Sequence, residues 1–250
     1  MDNETQELTE TTEYAQPLPQ LLDAILEPEA AYADLKRKPR WLVFFLVCTA
    51  VLMALIPLAQ PYNLTAGQER MDHYISENRS QLGEEQLAQM EQMRENMGEG
   101  FMFTYLPYIA TPVLMLIFIL LVATGLNIGV GMTGIKLGFK PALSIASLTL
   151  IVSTIGGIVG LVLVLVKGDV NVGTNLSLLF PRYPAEWYTR LLKAFASQLD
   201  LFAVWAIYLY TVGVSKVTGL STKRSFRVVF ILWIIWALLG TALGYLGFAG

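Results

Sequence analysis

Apolar runs of about twenty residues recur along this chain, each bounded by charge, proline or glycine. A run of that length crosses a ~30 Å hydrocarbon core as a helix, and a helix satisfies its own backbone where lipid offers no partner. The pattern predicts five spans, over 41–59, 103–127, 141–166, 194–215 and 228–247. Local breaks set the boundaries. Arg40 and Gln60-Pro61 flank the first span. The second must end inside a charge-free stretch between Glu99 and Lys136, too long for one straight crossing. The five glycines of GLNIGVGMTGIKLG supply the turn.

Upstream of the spans, residues 1–17 form an acidic stretch with almost no aliphatic side chains, the pattern of a disordered tail. Leu18, Leu21, Leu22, Ile25 and Leu26 then recur at helical spacing, and a second short helix follows Pro28. The 18–40 segment ends in Lys36, Arg37, Lys38 and Arg40 ahead of Trp41. An amphipathic segment with cations at its end suits the lipid headgroup surface, so these five residues are the expected juxtamembrane lipid contacts. Between the first two spans, residues 60–100 form a polar excursion, with a helical seam in Leu82, Leu87, Met90, Met93 and Met97. This reads as a helical hairpin lying over the spans, or as a partner-binding arm.

Composition narrows the class. The chain of 250 residues is 54% hydrophobic and 15% charged, too little polar surface for a soluble domain. The fold class is therefore an all-α integral membrane protein, a five-transmembrane-helix bundle with a cytosolic amphipathic N-terminal segment. The acidic N-terminus is the reverse of a basic secretory leader. The single cysteine, Cys48, excludes an intrachain disulfide, and the single histidine, His73, leaves no histidine cluster for a metal. No cofactor is expected. Lys and Arg divide ten against seven in favour of the loops on the N-terminal side. Positive-inside logic then places the N-terminus in the cytoplasm and the C-terminus outside. Three Asn-x-Ser/Thr triplets (Asn63, Asn78, Asn175) fall on the outer side and would matter only in a eukaryotic lumen.

The candidate residues lie in the spans. Gly125 and Gly129, Gly156 and Gly160, and Gly240 and Gly244 are small-residue pairs that let helices approach closely, within one chain or between copies. The third span carries Ser144, Ser147, Thr149, Ser153 and Thr154, which could line a polar path or bond to their own helix. Pro107 and Pro112 loosen the second span. Asp200 stands out as an acid inside the fourth span. With that span starting at Ala194, Asp200 shares a small face with Ala196, Ser197, Ala203 and Val204, while Phe195, Phe202, Trp205 and Leu209 form a bulky, lipid-compatible flank. Asp200 is thus expected to face the bundle interior, relieved by Lys193, Arg190, third-span hydroxyls or protonation. It reads as a structural anchor or as a proton- or ion-handling group. No nucleophile elbow, zinc-protease motif, phosphate loop or cysteine cluster is present, and a lone membrane acid lacks a partner for aspartyl chemistry. An enzyme is not expected.

Three stretches, LEPEAAYADLKRKPRWL, GFKPALSIAS and LDLFAVWAIYLYTVGVSKVTGLSTKRSFRVVFILWII, resemble the bacterial branch of the YIP family, multispan proteins named for their Ypt/Rab-interacting eukaryotic relatives. The likeness covers roughly 25–247 and is most specific at Pro28, Tyr32 and Trp41, and at Asp200, Leu201, Phe202, Trp205, Gly213, Gly219 and Ser221. It implies a cytosolic N-terminal region and five spans. Eukaryotic members are linked to Rab GTPases and vesicle traffic. This chain lacks the Gly-Pro-containing motif expected of those members, and its acidic excursion departs from their compact pattern, which argues against Rab-type GTPase binding. Two functions remain. One is a non-enzymatic bundle that organises membrane or recruits partners, whose partners are the bilayer, other membrane proteins or a second copy, with no nucleic acid. The other is a small transporter or channel with Asp200 and the third-span hydroxyls along its path. A bacterial inner membrane is the expected location.

Overall fold

The structure is a computed structural model that describes residues 16–98, 101–184 and 186–245; the expected tail, but for its last two residues, and the end of the expected fifth span lie outside them. Helices account for all the regular structure among the described residues. At the N-terminal end, α1 (Pro17–Leu26) and α2 (Pro28–Ala33) each begin on a proline, whose fixed φ suits a first helical turn and whose missing N–H costs nothing there. A 3₁₀ turn, Asp34–Lys36, leads to α3 (Trp41–Asn78), then α4 (Glu84–Glu95), the single turn α5 (Phe101–Thr104) and α6 (Leu106–Gly131). The chain closes with α7 (Phe139–Lys167), α8 (Trp187–Ala196), α9 (Leu201–Thr218) and α10 (Thr222–Tyr245). Five of these, α3, α6, α7, α9 and α10, are long and apolar enough to cross a membrane.

Three boundaries differ from the expected ones. Gln60-Pro61 does not end the first span: α3 runs on to Asn78 with Pro57 and Pro61 inside it. Each proline removes one helical hydrogen bond, but leaving the helix at membrane depth would strand many more polar groups. The second span does not stop at Asn127. Gly125 and Gly129 stay helical against α10, and the turn comes after Met132, where Gly134 and Gly138 take positive φ. The largest change is in the fourth span. Residues 194–215 are not one helix; α8 ends at Ala196 and α9 begins at Leu201, with the break between them.

The centre of the fold is the first part of α7. From Ala142 to Leu150 every residue is buried, so this stretch is enclosed on all its faces. Its neighbours are α3, α6, α9 and, from the N-terminal segment, α1 and the 3₁₀ turn. On the opposite, hairpin side, the extension of α3 is met by α4, which has no buried residue. Arg94 of α4 pairs with Asp72 at 2.7 Å, an exposed link worth at most about 1 kcal/mol.

Candidate functional site

The N-terminal segment does not simply lie on the membrane surface. It is plugged into the bundle. Gln20, Leu21, Ala24, Ala31, Tyr32 and Leu35 are buried, while Leu18, Leu22 and Leu26 are exposed at 60%, 60% and 77%. The expected apolar face is thereby split: Leu21 turns to the protein and an i, i+4, i+8 stripe of leucines faces away. Gln20 fastens the two short helices together, its Nε2 donating to the Ala31 carbonyl at 2.7 Å.

Tyr32 is the anchor. Its ring is fully buried and its hydroxyl meets the Thr149 hydroxyl at 2.7 Å, about 15 Å along α7 from Phe139. Thr149 in turn donates to the Ile145 carbonyl at 2.8 Å, so the tyrosine is left as donor to Thr149. Gly213 of α9 makes room for the ring. A Cβ there would lie 2.7 Å from Tyr32 Cδ1 and 2.8 Å from Ile145 Cγ2. Burial pushes the Tyr32 phenol well above the ordinary tyrosine range, so it stays neutral and apolar enough to be held there. At the rim, Lys216 Nζ donates to Glu29 at 2.5 Å and links α9 to α2. Lys36, Arg37 and Lys38 are exposed beside this segment, Arg40 is partly buried at the start of α3, and the Trp41 ring sits 6.5 Å from that of Phe45.

Asp200 is not mid-helix, and among the described residues no cation forms an ion pair with it. It is the N-cap of α9: Oδ1 accepts from the Phe202 N–H at 2.6 Å, and Oδ2 accepts from the Thr174 hydroxyl. A carboxylate is favoured there by the exposed amides and the helix dipole. The chain around Thr174 is tied in by an antiparallel bridge between Asn175 and Asp200 and by the Leu176 N–H donating to the Leu199 carbonyl at 3.1 Å. Lys193 and Arg190, the expected partners, instead donate to loop carbonyls at Pro181, Arg182 and Pro184. Ser197 bonds back to the Ala194 carbonyl and lies on the far side of the break.

Ile207 and Thr211, further along the expected inward face, do turn to the core, but the bulky flank of α9 does not face lipid. Phe202, Trp205 and Leu209 turn inward, and Leu201, Val204 and Tyr208 are exposed. The reason is Gly156 of α7, where a Cβ would stand 3.2 Å from the Phe202 ring. Space for the bulky flank of α9 comes from the partner helix. Phe202 stacks on Trp205 with centroids 6.5 Å apart. Gly160 faces open space, with nothing within 4 Å of a Cβ. Ser144, Thr149 and Thr154 bond to carbonyls of their own helix, Ser147 is buried, and Ser153 is exposed on another side. Among the described residues, the Asp200 carboxylate bonds to Thr174 and to the Phe202 N–H, and not to an α7 hydroxyl.

The joined residues are those on which the resemblance was most specific: Tyr32 in the notch of Gly213, Asp200 capping α9 over Phe202 and Trp205, and Gly219 in the left-handed conformation that ends α9. A family profile described as Yip1 domain matches residues 22–244, from within α1 to near the end of α10. The chain belongs to the Yip1 family. No curated protein and no solved structure matches it. Within the Yip1 match lie both the Asp200 cap and the seating of Tyr32 on Thr149 and Gly213, which forms a latch holding the N-terminal segment. Thr149 and Thr174, the two hydroxyls that complete them, carry no mark in the sequence as partners. Thr174 sits in a polar loop whose path back to the break carries no sequence signal. Thr149 was hidden among five hydroxyls; only a mid-span glycine in a different helix hints that an aromatic ring must come in beside it.

Proposed function

We propose that this protein works without catalysis, as a bacterial-type Yip1 protein of the inner membrane that organises membrane or recruits partners through its N-terminal segment. In this reading the N-terminus is cytoplasmic and the C-terminus outside. The observation that carries it is the seating of Tyr32 between α7 and α9. A segment that was only a tether would not need a buried ring and a shared hydroxyl bond at its centre. Held in this way, it offers Leu18, Leu22 and Leu26 in one fixed orientation, in the same segment as the exposed Lys36, Arg37 and Lys38. Leucine stripe and cations together suit the headgroup region or an amphipathic partner helix.

Deleting the first 35 residues would also remove the latch, so a surface change is the cleaner test. A photo-crosslinker at position 22, in the native membrane, is expected to trap a defined protein or lipid and to lose it when Leu18 and Leu26 become serine. Adducts at position 22 no different from those at exposed Tyr74 would contradict the reading.

A further inference from the structure

We infer that the crevice between α3, α6 and α7, on the hairpin side of the bundle, is a lipid site that seats one acyl chain of a bilayer phospholipid. The crevice has a volume of about 600 Å³. One wall is a single face of α3, stepping every third or fourth residue from Leu52 to Gly67, and the opposite wall is α7 from Gly157 to Val164. Glycines define its length. A Cβ on Gly157 would lie 2.8 Å from Leu52 Cδ2, and one on Gly67 would lie 2.9 Å from Met97 Sδ. Between these two close approaches Gly160 meets nothing within 4 Å. The crevice is therefore closed at one end by the approach of α7 to α3, narrowed at the other by the flexible Met97 side chain of the hairpin, and open between them.

The lining selects the ligand. Leucine, isoleucine, valine and proline side chains dominate it, and no ionisable residue lines it. Of its polar groups, the Thr111 hydroxyl is already donated to the Pro107 carbonyl at 2.7 Å. Gln60 and Asn63 are its other polar side chains, and with no charge in the lining an ion or a nucleotide has no counter-charge there; an aliphatic chain gains from close packing in a shaped slot rather than from leaving water. Leu52, Leu55 and Ile56 are half-buried, so the slot opens on the flank of membrane-spanning helices, where the surrounding solvent is bilayer lipid. A second depression meets it at Val170 and carries the polar side chains of Thr65, Glu69 and Asp169 among its lining, which gives the headgroup end a place in water-facing surroundings. The site does not depend on the latch or on the recruiting role proposed above.

The full chain reconstituted in liposomes with a phosphatidylcholine bearing a diazirine on its acyl chain tests this. After illumination and digestion, adducts are expected to concentrate on residues 52–64 and 157–164. Gly160→Leu, whose side chain enters the open space, is expected to lose those adducts while keeping those on the exposed Ile231, Ile235 and Leu238 face of α10. Ala59→Phe, filling the slot from the other wall, reads the same way if Gly160→Leu fails to fold. Crevice adducts no denser than those on α10, or undiminished in the filled variants, would overturn the site. Equal crevice labelling by a free diazirine fatty acid at the same membrane concentration would overturn its assignment to phospholipid.

Discussion

At the scale of single residues, Asp200 and Gly213 carry opposite kinds of constraint. Asp200 supplies an acceptor, and asparagine can supply one too. Asp200→Asn is expected to change stability by less than about 1 kcal/mol, whereas Asp200→Ala, which also strands Thr174, is expected to cost roughly 1–2 kcal/mol. Thermal denaturation of the purified protein in detergent reads the difference, and a large loss in the asparagine variant would favour a role for the charge itself. Gly213 supplies absence of volume. Gly213→Ala puts a methyl group against a buried ring and an isoleucine and is expected to cost roughly 1–3 kcal/mol. Gly160→Ala has the opposite sign: in open space, within a helix, it should stabilise by about 0.5–1 kcal/mol. The sequence made both glycines visible as small residues in spans. It could not separate them, because what decides the sign is the atom on the facing helix.

At the scale of elements, hydropathy located all five membrane-crossing segments but not their ends. The third span was legible almost to the residue, 141–166 against Phe139–Lys167, because Gly138 and Gly168 bracket it with positive φ and it contains no competing break. The first was cut short at Pro61 because proline is a strong breaker in water and a weaker one where lipid penalises every alternative. The fourth was drawn straight across a cap. Asp followed by an apolar run is itself an N-cap signal, and reading Asp200 by its charge concealed it. Treated as a boundary, Asp200 also explains why Phe202 and Trp205 could turn inward: α9 starts its own helical phase there, independent of α8. The pairing of α6 with α10 gives an element-level test. A Cβ on Gly129 would meet Val228 Cγ1 at 2.8 Å, so Gly129→Leu is expected to separate these helices and lower the melting temperature, while Gly131→Leu, with nothing within 4 Å, should not.

At the scale of the whole molecule, an odd number of crossings would put the α1–α2 segment and the end of α10 on opposite faces of a bilayer, and the latch adds a contact that hydropathy alone cannot foresee. The N-terminal segment was legible as amphipathic and as lying beside the first span. Its docking was not, because Tyr32 finds Thr149 across more than a hundred residues of chain and Gly213 further still. The consequence is a bundle whose N-terminal face is built from two sources, the spans and the segment that precedes them. Cysteines at positions 22 and 91, in a Cys48→Ala background, are expected to label from opposite sides of a sealed vesicle; labelling from one side would contradict the span count. Glu29 and Lys216 lie at the exposed rim of the latch, so Lys216→Ala is expected to cost less than about 1 kcal/mol and to leave the segment seated.

The most direct test of the latch is hydrogen exchange over residues 17–38 in lipid nanodiscs, comparing the native chain with Gly213→Leu. The account predicts slow exchange across α1 and α2 in the native chain and a marked rise in that segment alone in the variant, with α7 and α9 still protected. Fast exchange of the segment in the native chain, or protection unchanged by Gly213→Leu, would contradict it.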